Sequence, residues 1–214
     1  MKNNKEIINE LWESCMEYPP KQEKIRKILD EIKEISVLYS AFGEIDDPND
    51  IFRTNDFLSN FLEEYMVTIN KDWFGYNQYD STTSEWKYIP PIEPTHKIRH
   101  ETYVVNIVKM FLEYGYDMCA ADGKVGASCL DALVYSFFND ELVNVAKLLI
   151  TAGANPKFPI EDGMSILDNI YSHCVSNEWY YPGIEEDDYL DNRFAMDSFY
   201  ELCAKTVEQQ NESK

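Results

Sequence analysis

The sequence has few positive charges for its length. Lysine and arginine number 19 against 39 aspartates and glutamates, which gives a formal net charge of −20. A negative field of this size repels nucleic acid and anionic membrane surfaces, and it speeds encounter with basic proteins. We therefore expect no direct binding to nucleic acid or to membranes, and we expect a partner protein with a basic surface. Acidity that only maintains solubility is the alternative interpretation.

Long apolar runs are also missing. No stretch approaches the ~18 residues needed to cross a bilayer. Residues 1–20 contain no apolar core of the length that a signal peptide has. We therefore expect a cytoplasmic protein. The composition is nevertheless that of a folded chain, since 44% of the residues are hydrophobic and 14% are aromatic.

Residues suited to catalysis or metal binding are scarce. The five cysteines are widely spaced and form no C-x-x-C motif, and no glycine-rich phosphate loop occurs. His96 and His100 stand four residues apart, but no Cys or Glu completes a set of metal ligands at the required spacing. We predict that the protein is not an enzyme and that it has no metal and no cofactor.

An internal repeat is the clearest positive feature. Residues 106–133 read NIVKMFLEYGYDM, a short spacer and then GASCLDAL. Residues 144–170 read NVAKLLITAGANP, a short spacer and then GMSILDNI. Gly115 and Gly153 occupy the same place in the two copies, 38 residues apart. Apolar residues at helical spacing precede both glycines, which are expected to end a helix in a left-handed conformation.

A second helix is predicted in each copy after a short turn. Ser128 and Ser165 are expected to be the N-caps of these helices. Asp131 and Asp168 follow three residues later, which is the reciprocal position of a capping box. Each copy therefore predicts a helix, a glycine stop, an extended turn and a capped helix.

The two copies resemble the ankyrin repeat. The G-x-T-P-L-H-x-A segment of that family is matched by Gly126 to Leu133 and by Gly163 to Ile170, and both copies read G-x-S-x-L-D. The helix end L-L-x-x-G-A-N/D is matched by Leu148 to Asn155. Asp replaces the His of the motif in both copies, and Cys129 or Ile166 replaces its Pro. The resemblance covers about a third of the chain. It implies an all-α helical-repeat solenoid that works as a protein-interaction platform.

Weaker helical patterns outside this window extend the plan to roughly four ankyrin-like helix pairs with two loop insertions. We interpret residues 1–214 as a single ankyrin-like repeat domain. Its predicted parts are an N-terminal cap pair at 1–42, a second unit at 55–114 with an insertion at 69–97, a third unit at 115–152, and a C-terminal unit at 153–209 with an insertion at 176–191.

The two insertions carry the candidate protein-binding residues, because insertions in repeat proteins often emerge on the binding face. The first is rich in aromatics, which are enriched at interfaces, although packing back onto the array is the alternative. The second combines aromatics with four consecutive acids, and between Phe158 and Asn192 there is no Lys or Arg against nine acidic residues. The predicted site residues are Trp73, Phe74, Tyr76, Trp86, Tyr88, Trp179, Tyr180, Tyr181, Glu185, Glu186, Asp187 and Asp188.

The resemblance and the charge together predict a non-catalytic binding protein. The chain is similar to small, divergent ankyrin-like proteins of bacterial type, some of which resemble the immunity proteins of toxin systems. We therefore expect an acidic inhibitor or immunity protein that blocks a basic partner, such as a toxin or a nuclease. Such an inhibitor presents carboxylates where phosphates normally bind. A generic intracellular ankyrin scaffold is the alternative, and an enzyme or a nucleic-acid binder is less favoured.

Overall fold

The described part of the chain is predominantly helical. The computed structural model describes residues 2–17, 20–42, 55–74, 76–80, 85–89, 97–134, 140–160, 163–172 and 186–212. In chain order the elements are α1 (Asn4–Met16), α2 (Gln22–Glu31), a 3-10 helix (Ile35–Ser40), α3 (Phe57–Phe74), β1 (Tyr76–Asp80), β2 (Glu85–Ile89), α4 (Lys97–Glu113), a short 3-10 helix (Ala121–Gly123), α5 (Lys124–Val134), α6 (Asp140–Thr151), α7 (Ile166–Ile170) and α8 (Glu186–Glu212).

The helices pack in two rows. In one row α1 contacts α3, α3 contacts α5, and α5 contacts α7. In the other row α4 contacts α6, and α6 contacts α8. The helix α2 is joined to this second row by an ion pair of 3.0 Å between Arg26 and Glu113, and by a 2.7 Å hydrogen bond that the Tyr114 hydroxyl donates to Asp30. Neighbouring helices of the two rows also pack against each other as pairs.

The predicted glycine stops are confirmed. Gly115 and Gly153 have φ values of +84° and +108°. In each case the glycine and the residue after it donate to the carbonyls that close a Schellman motif. At the first glycine, Gly115 N–H donates to Leu112 O and Tyr116 N–H donates to Phe111 O, both 3.0 Å. At the second, Gly153 N–H donates to Ile150 O at 3.0 Å and Ala154 N–H donates to Leu149 O at 2.9 Å.

One of the two predicted N-caps is confirmed and the other is wrong. Ser165 caps α7 in a full capping box with Asp168. Ser128 instead lies inside α5, which begins at Lys124. The chain enters this helix early because Ala121 and Asp122, with φ values of +50° and +57°, form a tight 3-10 turn just before it. Ser128 is therefore four residues past the start of the helix and is buried.

The first predicted insertion is partly regular structure. The helix α3 continues to Phe74, so residues 69–74 are helical rather than part of a loop. They are followed by a two-stranded antiparallel hairpin in which Tyr79 pairs with Trp86. Aromatic residues favour this conformation. The described residues are therefore mostly helical, as the all-α prediction expects, and the hairpin is a small addition to the helices.

An aromatic cluster fills the core near the start of the chain. Phe57 and Phe111 are fully buried and stack with ring centroids 5.3 Å apart. Trp12 packs edge-on against Phe57 at 5.6 Å, and Phe42 does so against Trp12 at 5.0 Å. Edge-to-face and offset pairs of this kind stabilise a core beyond their buried area. The cluster therefore fixes α1 against α3 and α4.

Candidate functional site

Metal-ligating side chains do not cluster in the part of the chain that the structure describes. Among the described residues no group of three or more His, Cys, Asp and Glu side chains is placed to hold a metal ion. In the same residues no helix combines the length and the apolar character needed to cross a membrane. Cys15 and Cys129 are buried, and burial raises the pKa of both thiols. Protonated, enclosed thiols are poor nucleophiles.

A buried polar network around Asp56 has a structural role. Asp56 is fully buried at the start of α3 and accepts hydrogen bonds from the backbone N–H groups of Leu58 and Ser59, both 3.0 Å. Its carboxylate also accepts from the Ser59 hydroxyl and from the Tyr116 hydroxyl, both 2.5 Å. Burial and the Asp56 charge raise the pKa of Tyr116 well above 10, so the phenol keeps the proton that it donates. The network caps α3 and is closed to solvent.

A cleft of about 600 Å³ lies between the start of α1, the end of α2 and the first 3-10 helix. Its charged rim is balanced, because Lys2 and Lys33 face Glu31 and Glu34. Lys2 already forms an ion pair with Glu10 and lies 3.9 Å from Glu31. The cleft therefore has no preference for a ligand of either charge.

The predicted residues of the first insertion lie on two different elements. Trp73 and Phe74 are in the last turn of α3, whereas Tyr76, Trp86 and Tyr88 are in the hairpin. The strand register pairs Tyr76 with Ile89 and Tyr88 with Asn77. The contacts of these five side chains lie outside what the structure describes.

The predicted residues of the second insertion are described only in part. Trp179, Tyr180, Tyr181 and Glu185 fall outside the described residues. The three acids that follow, Glu186, Asp187 and Asp188, form the first turn of α8 rather than a loop. Carboxylates at this position interact favourably with the positive end of the helix dipole. These acids therefore stabilise the start of α8, in addition to any role in binding.

Sequence reasoning missed an exposed apolar surface at the α7–α8 end of the two rows. Four large hydrophobic residues are exposed among those whose side chains the structure describes, and three of the four are at this end. They are Met164, Tyr171 and Phe194, with exposed fractions of 44%, 50% and 67%. The fourth, Phe42, lies at the other end of the array, and its ring packs on the aromatic cluster.

We call this surface the end face and define it by six residues of α7, α8 and the turn before α7. The ring centroids of Tyr171 and Tyr200 are 5.5 Å apart, which joins α7 to α8 across it. Asp168 and Glu201 are exposed; the Asp168 carboxylate accepts hydrogen bonds from Ser165, and Glu201 forms an ion pair of 3.2 Å with Lys205. The residues of the end face are Met164, Asp168, Tyr171, Phe194, Tyr200 and Glu201. The positions of these six residues in the sequence do not reveal that they are exposed. Their exposure depends on whether another part of the chain covers α7.

The end face lies in the acidic part of the chain. Residues 1–42 contain seven basic and eight acidic residues, whereas residues 43–214 contain 12 basic and 31 acidic residues. The segment without Lys or Arg, from 159 to 191, includes α7 and the start of α8. Apolar exposure and negative charge therefore occur at the same end of the array.

The end face joins features that belong to binding surfaces in general. Monomeric proteins rarely expose several large apolar side chains close together unless the patch has a function. The nine acidic residues between Phe158 and Asn192, with no Lys or Arg among them, add a preference for a positively charged partner. Comparison with known proteins finds no match to this chain among protein-family models, curated proteins or solved structures.

Proposed function

We infer that the helices form a divergent ankyrin-type solenoid. The two-row packing supports this inference, because stacked helix pairs are the architecture of such arrays. The Schellman motifs at Gly115 and Gly153 and the capping box at Ser165 support it at the level of single residues. The sequence resemblance covers about a third of the chain, and we extend it here to all of the helices.

We propose that the protein is a non-catalytic inhibitor that binds a basic partner protein through its acidic, aromatic end. The observation that carries the proposal is the exposure of Tyr171 and Phe194 next to a segment that has no Lys or Arg. Aromatic side chains supply most of the binding energy at many interfaces. The surrounding carboxylates speed association and reject acidic proteins.

The charge distribution also favours an inhibitor of an enzyme that acts on nucleic acid. Such an enzyme presents Lys and Arg to phosphates, and an acidic surface competes for those groups. Occupying them blocks the substrate without any chemistry by the inhibitor. The second aromatic insertion follows α7 in the sequence and leads into α8, the two helices of this end.

The proposal is tested first by capture and then by inhibition. The protein is immobilised, partners from the source cell are identified by mass spectrometry, and the main partner is purified. We expect a basic protein whose activity falls on addition of the acidic chain. Association should slow at least tenfold between 50 and 500 mM NaCl, because the attraction is screened.

The acidic run is tested with two variants of equal charge change. The test variant carries Glu185→Gln, Glu186→Gln, Asp187→Asn and Asp188→Asn. The matched control carries Glu13→Gln, Glu23→Gln, Glu31→Gln and Glu34→Gln, which are exposed at the opposite end. We expect slower association and weaker inhibition for the test variant only. Equal effects from the two variants would show that the partner responds to the net charge of the protein and not to the acidic run. Capture of several unrelated proteins without inhibition would favour a scaffold.

A further inference from the structure

The second row of helices, with α2 at its start, exposes one lysine at a corresponding position of each helix. The four lysines are all exposed, and they are Lys27 in α2, Lys109 in α4, Lys147 in α6 and Lys205 in α8. The residue two positions before each lysine is fully buried, and these residues are Ile25, Ile107, Val145 and Cys203. Two residues turn an α-helix by about 200°, so each lysine lies on the side of its helix that faces away from the core. We call these four residues the lysine row.

Lys109 and Lys147 occupy equivalent positions of the two repeat copies. They are 38 residues apart, which is also the spacing of the two glycine stops, and α4 contacts α6. Residues 100–156 contain only three Lys or Arg residues, and two of the three are these lysines. Helices in contact have axes about 8–10 Å apart. The two lysines therefore lie side by side on adjacent helices, at a spacing of roughly 10 Å.

The lysine row begins on α2. Lys27 follows Arg26, and the ion pair of 3.0 Å between Arg26 and Glu113 joins α2 to α4. Glu113 is four residues after Lys109, which places the two residues on the same side of α4. Lys27 and Lys109 are therefore neighbours across the contact between these two helices.

Three of the four lysines are available to a partner. Lys27, Lys109 and Lys147 form no ion pair with any residue that the structure describes. Lys205 is held by Glu201 in an ion pair of 3.2 Å. The three unpaired lysines therefore form a line of positive charge across α2, α4 and α6, on a chain whose net charge is −20.

We propose that an acidic segment of a partner protein binds along the lysine row. Charge complementarity favours carboxylates opposite these ammonium groups. A peptide in an extended conformation advances about 3.3 Å per residue, so acids at every third position repeat at about 10 Å. This repeat matches the spacing of the lysines, and the segment therefore crosses α2, α4 and α6 with one carboxylate at each lysine. The site is separate from the proposed inhibitory surface, because the end face lies on α7, α8 and the turn before α7.

A peptide with spaced acids fits this surface better than two other anionic ligands. A nucleic acid carries a charge on every nucleotide, so the negative field of the chain repels it along its whole length. A second copy of the chain brings a net charge of −20 and is repelled as a whole. A short segment with a few acids carries much less charge and contacts the lysine row alone.

The inference is tested with two 12-residue peptides of identical composition, four Glu and eight Ser. In the first, Glu stands at every third position, and in the second, the four Glu are adjacent. Fluorescence anisotropy of labelled peptide measures binding to the full chain at 20 mM NaCl. We expect the spaced peptide to bind at least threefold more tightly, because the clustered acids reach fewer of the lysines. Binding should weaken at 150 mM NaCl, where exposed charges are screened.

Variants of the protein locate the bound peptide. The test variant carries Lys109→Gln and Lys147→Gln, which removes two adjacent positions of the lysine row. The matched control carries Lys5→Gln and Lys33→Gln, which removes two exposed lysines elsewhere and changes the net charge equally. We expect binding of the spaced peptide to weaken at least threefold in the test variant only. Thermal unfolding verifies that both variants are folded at the assay temperature.

Three results would overturn the inference. The first is equal binding of the spaced peptide by the test and control variants, or no binding at all at 20 mM NaCl. The second is tighter binding of a 12-nucleotide single-stranded DNA than of the spaced peptide, which would assign the lysine row to nucleic acid. The third is self-association in sedimentation equilibrium that the test variant loses, which would assign it to a second copy. The test variant should still inhibit the basic partner, so failure here leaves the proposed function standing.

Discussion

The side-chain amide of Asn169 donates a 2.7 Å hydrogen bond to the carboxylate of Asp131, and both residues are buried. The two residues are 38 positions apart, which is also the spacing of Gly115 and Gly153. In the G-x-S-x-L-D motif Asp131 corresponds to Asp168, so the bond joins α5 to the residue that follows the matching position in α7. Asp131, the acid of the motif in the first copy, therefore links two neighbouring helices.

Loss of this bond is expected to destabilise the fold. Asn169→Leu keeps a similar volume but leaves the buried carboxylate with one donor fewer, which costs about 1–3 kcal/mol. Urea unfolding followed by circular dichroism measures the change. Asn144→Leu, on the exposed face of α6, is the matched control and should change the free energy of unfolding by less than about 0.5 kcal/mol. Equal effects of the two variants would contradict the assigned role of the bond.

Ser128 and Ser165 have the same sequence motif but different places in their helices. Ser165 was predictable as a cap because Gly163 precedes it by two residues and Asp168 follows it by three, which is the spacing of a capping box after a turn. Ser128 has the same neighbours, but two non-glycine residues with positive φ start the helix before it. Alanine at positive φ is uncommon, so no sequence signal marks such a turn.

The end face was hidden from sequence reasoning for a different reason. The exposure of Tyr171 depends on whether another helix packs beside α7. This is decided by tertiary packing and not by the local sequence. Local periodicity identifies the apolar stripe but not what covers it. The hairpin was missed because YNQYD has no regular alternation of polar and apolar residues, and the alternation in EWKYI extends over only four residues.

The capping box of α7 gives a second stability prediction. Ser165→Ala removes the side chain that accepts a hydrogen bond from Asp168 N at 3.3 Å. We expect a loss of about 1 kcal/mol, which is typical for an N-cap serine. Ser165→Thr retains the hydroxyl and should lose only a few tenths of a kcal/mol. Urea unfolding distinguishes the two variants, and equal losses would show that the hydroxyl does not contribute.

The two glycine stops allow one steric contact to be measured. A Cβ added at Gly115 meets nothing within 4 Å, whereas a Cβ at Gly153 lies 2.7 Å from Cys119 Sγ. Both sites have positive φ, so Gly115→Ala should cost about 1–2 kcal/mol from backbone strain alone. Gly153→Ala should cost about 1–3 kcal/mol more because of the overlap with sulfur.

The double variant Gly153→Ala with Cys119→Ala isolates the contact with sulfur. We expect it to recover most of the additional loss and to approach the cost of Gly115→Ala. The measurement is a double-mutant cycle in urea. No recovery would mean that backbone strain accounts for the whole effect at Gly153.

The buried thiols predict a loss of stability at alkaline pH. Burial raises the folded-state pKa of Cys15 and Cys129 above the value of about 8.5 in an unfolded chain. The stabilisation is therefore complete below pH ~8.5 and declines above it, because the unfolded chain releases protons that the folded chain retains. Each such proton lowers the free energy of unfolding by about 1.4 kcal/mol per pH unit. Between pH 9 and 10 the two thiols together should contribute roughly two protons to the slope of urea unfolding in the parent, in addition to the contribution of the buried Tyr116. Cys15→Ala and Cys129→Ala should each reduce that slope by about one proton, whatever their stability at pH 7. An unchanged slope in both variants would show that neither thiol is shielded in the folded protein.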